Sequence, residues 1–137
     1  MIHITRSPLD PNVVTAKVRN PTNGAVITFL GTTRLFADGR KVLGLEYETY
    51  KAMAVGELKK IIMDIKTKWQ ISDIAIAHRI GPVGVGEVSM VVAVASPHRK
   101  EAFTACRDLV DQIKQTVPIW KKEYFEDGHH WVSCEGH

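Results

Sequence analysis

Two adjacent lysines behind a tryptophan, in Pro118-Ile119-Trp120-Lys121-Lys122-Glu123, are the residues of this chain best suited to chemistry on an anion. Lysine offers a compact positive charge that can also pass a proton, and cations held beside an aromatic wall suggest an anion site. Further cations stand at three other places: Arg34 at the end of a strand pattern, His98-Arg99 at the start of a helix pattern, and Lys114 near that helix's end. The arginine fork suits phosphate or carboxylate. The first turn of a helix, with its free backbone N–H groups, already favours an anion beside His98 and Arg99. If the four places converge they form a basic reaction pocket; if not, they are solvated surface charge. Lys114 sits one residue beyond Ile113 and four beyond Val110, at the border of an apolar helix face. There it either extends its head to water or stays partly desolvated, which lowers an ammonium pKa and makes it usable as an acid, base or nucleophile.

The elements that must position these residues follow from the apolar pattern. Asp10-Pro11 reads as an N-cap with proline at the first helical position, starting a short helix to about Val18. β-Branched and aromatic residues predict strands over Ala25 to Thr33 and Val42 to Tyr50, with Gly31 as a bulge or close-approach point. Ala37-Asp38-Gly39 marks a loop between them, and in the second strand Leu45, Tyr47 and Thr49 share one face while Glu46, Glu48 and Tyr50 share the other. Paired carboxylates on a strand face are more often solvated or salt-bridged than catalytic.

Lys51 to Trp69 predicts a core-facing helix through Met53, Leu58, Ile61, Ile62, Ile65 and Trp69. Two more strands, Ile71 to Ile80 and Val88 to Ala95, are joined by Gly81-Pro82-Val83-Gly84-Val85-Gly86, read as a turn because it lacks the Lys-Ser/Thr ending of a phosphate loop. A second long helix spans His98 to about Thr116, with Phe103, Cys106, Val110, Ile113 and Val117 as its apolar face. Pro118 ends it, and Ile119 to Phe125 resumes an extended chain in which Lys121 and Glu123 share a face with Ile119, whereas Lys122 points away with Trp120 and Tyr124. The expected architecture is α+β: a single domain over residues 1–137 with an antiparallel sheet and two long amphipathic helices.

Composition narrows the partners. A chain of 137 residues, 45% hydrophobic and 24% charged, has the make-up of a soluble globular protein. The excess of 18 Lys and Arg over 15 Asp and Glu gives +3, which allows a local anion site without the basic stripe of a nucleic-acid binder. With two cysteines and no apolar leader or membrane-length run, a cytoplasmic setting with reduced thiols is the expectation. His129-His130, Cys134 and His137 match no standard zinc spacing, so no metal is expected.

Taken in order, Gly24-Ala25-Val26 through Phe29, Gly31 and Arg34, then Leu45-Glu46-Tyr47-Glu48, His78-Arg79-Ile80-Gly81, His98-Arg99, Lys114 and Pro118 to Glu123 resemble the family of large, catalytic subunits of molybdopterin synthase. The resemblance runs from about Gly24 to Trp131 and implies an α+β fold with a hammerhead-like part. It implies a sulfurtransferase that needs no cofactor and converts cyclic pyranopterin monophosphate into molybdopterin. The sulfur would come from a thiocarboxylate on the C-terminal Gly-Gly of a small ubiquitin-like subunit. Two large subunits would form a homodimer, with a small one at each end to complete a heterotetramer. By position, Lys114 and Lys121 match the functional lysines, while Thr32, Thr33, Arg34, His98 and Arg99 match anion-binding positions. Lys122 and Glu123 continue the binding segment. Arg34 is followed by Leu35-Phe36, where the family leads one to expect a more polar loop. The competing reading is a non-catalytic phosphate- or nucleotide-binding module built on the same cations.

Overall fold

The computed structural model describes residues 1–132, with side chains to residue 129. The chain runs β1 (Ile2–Thr5), α1 (Pro11–Ala16), β2 (Ala25–Thr32), β3 (Phe36–Ala37), β4 (Arg40–Thr49), α2 (Lys51–Lys68), β5 (Asp73–Arg79), β6 (Gly81–Val83), β7 (Val88–Ser96), α3 (Arg99–Thr116), β8 (Ile119–Phe125) and β9 (Gly128–Val132). Two sheets form. The first has the order β1-β5-β7-β2, and the second joins β3, β4, β8 and β9, with β6 also paired to β4.

Strand alternation in the central pair of the first sheet divides the core. Ile74 and Ile76 on β5, with Met90, Val92 and Val94 on β7, face α2 and α3 and pack with Leu58, Ile65 and Leu109. Ala75 and Ala77, with Val91, Ala93 and Ala95, face the other way onto Val14 and Val18 of the α1 segment. The small residues on that side let the short helix approach closely. Asp10 caps α1 by accepting from the Asn12 amide at 2.9 Å, with Pro11 at its first position. Asp108 locks α2 to α3, accepting from Trp69 Nε1 at 3.3 Å and Gln112 Nε2 at 3.0 Å and pairing with Lys68 at 3.3 Å.

The sheets are predominantly antiparallel, as expected, with β1 and β5 paired in parallel through the N-terminal residues Ile2 to Thr5. Three expectations need correction. The linker after Ile80 is not only a turn, because Gly81 to Val83 pairs with β4 before the chain reverses. Met53 is 57% exposed, since the buried phase of α2 runs through Ala54, Leu58, Ile61 and Ile65, about 100° away. Phe103 is 60% exposed for the same reason, with Ala102, Ala105 and Cys106 taking the inward positions of α3.

Candidate functional site

The two sheets meet at a cavity of about 480 Å³, walled by the ends of β2, β5 and α3 and by the inner faces of β4 and β8. Gly31, where the β2–β7 register shifts, is the bulge expected from the sequence, and the chain then turns through Thr32, Thr33 and Arg34 along the cavity rim. Antiparallel pairing of β4 with β8 places Lys121 opposite Tyr47 and Glu123 opposite Leu45, all on the inner face. The last turn of α3 adds Lys114. Pro118 follows this turn directly, and the compact Ile119 N–H to Val117 C=O bond of 2.8 Å starts β8, so Lys114 and Lys121 come to the same wall.

Three cations and one carboxylate therefore share the cavity. Lys121 Nζ lies 3.8 Å from Glu123 Oε1, and both side chains are nearly enclosed. Among the described residues, no carboxylate lies within ion-pair distance of Arg34 or Lys114. Burial holds the Lys114 ammonium below its ordinary pKa, and the Arg34 charge lowers it further. Lys121 is also lowered by burial, opposed by Glu123 and reinforced by Lys114 and Arg34. These mutual influences mark the three as one electrostatic unit. Lysines of this kind donate hydrogen bonds to an anion and release protons more readily than lysines in water.

Uncharged polar groups line the same cavity. His78 is buried, and its Nδ1 donates to the Arg79 carbonyl at 2.8 Å; a carbonyl only accepts, so Nδ1 carries the ring proton. Tyr47 meets the ring edge-on with centroids 5.0 Å apart. Burial pushes His78 down to about 4, with the Lys114 charge acting in the same direction, so the imidazole is neutral near pH 7. Tyr47 is raised by burial, while its hydrogen bond with Ser89 opposes the rise. Ser89 in turn donates to the Gly31 carbonyl at 3.2 Å. Sequence reasoning did not assign Tyr47, His78 or Ser89 to the site. The available signals were Tyr47 on the Leu45 face and a histidine closing the apolar run of β5.

Of the expected site residues, Thr32, Thr33, Arg34, Lys114, Lys121 and Glu123 line the cavity. Lys122 lies on the outer face of β8, with Nζ 5.5 Å from the Tyr124 ring. His98 and Arg99 are exposed at the start of α3. Lys114 is fifteen residues further along that helix, about 22 Å away at 1.5 Å per residue. Within one chain they do not meet this cavity. Glu46 accepts from Tyr124 Oη at 3.0 Å on the outer face, so it is engaged outside the cavity. His129 stacks obliquely on Tyr124, 5.6 Å between centroids, whereas Cys134 and His137 fall outside the described residues.

The site thus sets two enclosed lysines with lowered pKa values, and an arginine, beside neutral hydrogen-bonding groups in an α+β fold. The chain belongs to the MoaE family, whose model, described as MoaE protein, matches residues 4–116. It is 45% identical over 129 residues to the molybdopterin synthase catalytic subunit of Bacillus subtilis, covering 94% of this chain and 82% of that one. The Homo sapiens molybdopterin synthase catalytic subunit is 43% identical, covering 96% of this chain and 70% of that one. Among solved structures, molybdopterin synthase from Staphylococcus aureus superposes with TM-score 0.92 at 39% identity, covering 98% of this chain and 96% of that one.

Proposed function

We propose that this chain is the catalytic subunit of a molybdopterin synthase, converting cyclic pyranopterin monophosphate into molybdopterin with sulfur from the thiocarboxylated tail of a small ubiquitin-like subunit. The observation that carries this reading is the placement of Arg34, Lys114 and Lys121 on one cavity, with Glu123 as the single carboxylate lining it among the described residues. Both reactants are anions, a phosphate and a thiocarboxylate, and both need cationic donors in a water-poor site. Arg34, with Thr32 and Thr33, holds the phosphate. Lys114 and Lys121 orient the thiocarboxylate, stabilise negative charge that develops during transfer and carry protons. Glu123 holds Lys121 in place, and Lys122 is a flanking contact. A complex of subunits 1 and 2 of the molybdopterin-converting factor from Helicobacter pylori shares the fold at 22% identity and TM-score 0.75. No helix among the described residues is long and apolar enough to cross a membrane.

His98 and Arg99 enter this scheme through a homodimer, in which they serve the cavity of the second copy, because α3 holds them too far from their own. Arg99→Ala and Lys114→Ala chains are each expected to be poorly active alone. Exchanged into mixed dimers, they regain about a quarter of wild-type turnover, since half of the dimers carry one intact site out of two. Absence of recovery places both residues in the same site or removes Arg99 from it.

Cys106 need not carry the sulfur. Burial pushes the Cys106 thiol up to about 11, and the side chain packs in the core, so it is no nucleophile at neutral pH. Cys106→Ala is expected to keep turnover within about twofold while lowering Tm slightly. The reconstitution that tests the function is the purified chain, the thiocarboxylated small subunit and the cyclic pterin, with molybdopterin detected as product. A complete mixture that yields none refutes the assignment.

A further inference from the structure

The glycine-containing linker between β6 and β7 carries no ligand motif, yet it reaches the rim of the cavity through its backbone. Thr33 N–H donates to the Glu87 carbonyl at 3.1 Å, and Gly86 N–H donates to the Thr33 carbonyl at 2.8 Å. The residue immediately before Arg34 is therefore paired on both sides to a turn of the neighbouring segment. Thr33 is 4% exposed, and its Oγ1 is buried without a hydrogen-bond partner, so the side chain supplies no hydrogen bond to hold it there.

The turn itself is organised by one carboxylate. Glu87 N–H donates to the Gly84 carbonyl at 3.0 Å, and Glu87 Oε1 accepts from Gly84 N–H at 2.5 Å. The same oxygen lies 3.6 Å from Nη1 of Arg79, whose side chain is nearly enclosed and whose Nε is buried without a hydrogen-bond partner. A Cβ on Gly84 would come within 2.7 Å of Glu87 Oε1, and Gly86 has φ +81°, so both glycines are needed for the carboxylate to close this loop. Glu87 itself does not line the cavity.

We propose that Glu87 is a positioning residue: anchored on Arg79, it shapes the 84–87 turn, and that turn fixes the backbone of Thr33 so that Arg34 faces the anion. The inference rests on the reading of the cavity as an anion site for sulfur transfer. It gives Arg79 a task as well, since its nearly enclosed guanidinium anchors the clamp. Glu87 is half exposed, so its removal leaves the core intact.

Binding of inorganic phosphate, followed by isothermal titration, reads this without any reaction. Glu87→Ala is expected to weaken phosphate about tenfold, the loss of a charge-assisted hydrogen bond held in place, and Glu87→Gln to stay within about twofold because its amide oxygen still accepts from Gly84. In the Arg34→Ala background, Glu87→Ala should cause no further loss, since Glu87 acts through Arg34. With the pterin and the thiocarboxylated subunit, the same variant should raise KM for the pterin and leave the affinity for the small subunit unchanged. Wild-type phosphate affinity in Glu87→Ala overturns the inference, as do losses that multiply in the double variant. Failure of the wild-type chain to bind phosphate overturns it together with the anion site. Phosphate binding with these couplings, but without molybdopterin formation, supports the clamp and refutes the assigned reaction.

Discussion

Lys121→Ala is expected to retain the small subunit and to lose turnover by about 10²- to 10³-fold, the usual cost of removing one donor aimed at developing negative charge. The loss is expected in kcat because Lys121 lies inside the cavity, paired to Glu123 at 3.8 Å and opposite Tyr47. Its neighbour gives the control. Lys122 faces outward against Tyr124, so Lys122→Ala removes a surface cation and changes turnover far less. Single-turnover assays with saturating small subunit separate the two, and full activity in Lys121→Ala would sink the assigned role. The enclosed carboxylate matters here, because burial alone favours the neutral amine, whereas Glu123 opposes that drift.

Acid is expected to destabilise this protein partly through a single imidazole. His78 has a folded-state pKa of about 4 against 6.5 when free. As the pH falls below 6.5 the unfolded chain takes up a proton that the folded chain refuses until near 4. The unfolded state thus binds more protons in this window, and stability rises with pH across it. The contribution is fully present above 6.5 and is lost as the pH falls toward 4. At about 1.4 kcal/mol per pH unit, the gap sets a ceiling of about 3 kcal/mol. Urea unfolding at a series of pH values should show a shallower acid loss in His78→Phe, which cannot take the proton, than in the wild type. Equal slopes in the two proteins would mean that His78 is protonated without penalty. The neutral ring also has a bearing on the site: a cationic His78 would add a fourth positive charge beside Lys114.

Much of this site could be read in one dimension, and the rest could not for definite reasons. Strand alternation in Ile119 to Phe125 separated Lys121 from Lys122, because a period of two is fixed by backbone geometry whatever the tertiary partners. Gly31 as a bulge was legible for a similar local cause. The meeting of Arg34 with Lys114 and Lys121 was not, since it depends on how β2 and β8 are placed by strands far from them in sequence. The helix phases misplaced Met53 and Phe103 because large apolar residues drew the stripe, while the close packing of α2 and α3 on the sheet selected Ala54, Ala102 and Ala105. His78 escaped notice as a site residue because a histidine in a hydrophobic strand shows its role only when the cavity at the strand's end is seen.

The length of α3 has one more consequence. The helix carries Lys114 at one end toward its own cavity and His98-Arg99 at the other, so its residue count fixes both a distance and a rotation between these cations. One inserted residue would advance the far end by about 1.5 Å and turn it by about 100°. Point substitutions on its exposed face are cheap by comparison. In this element, tolerance of residue identity and intolerance of length coexist, as in a camshaft whose lobes must keep their timing.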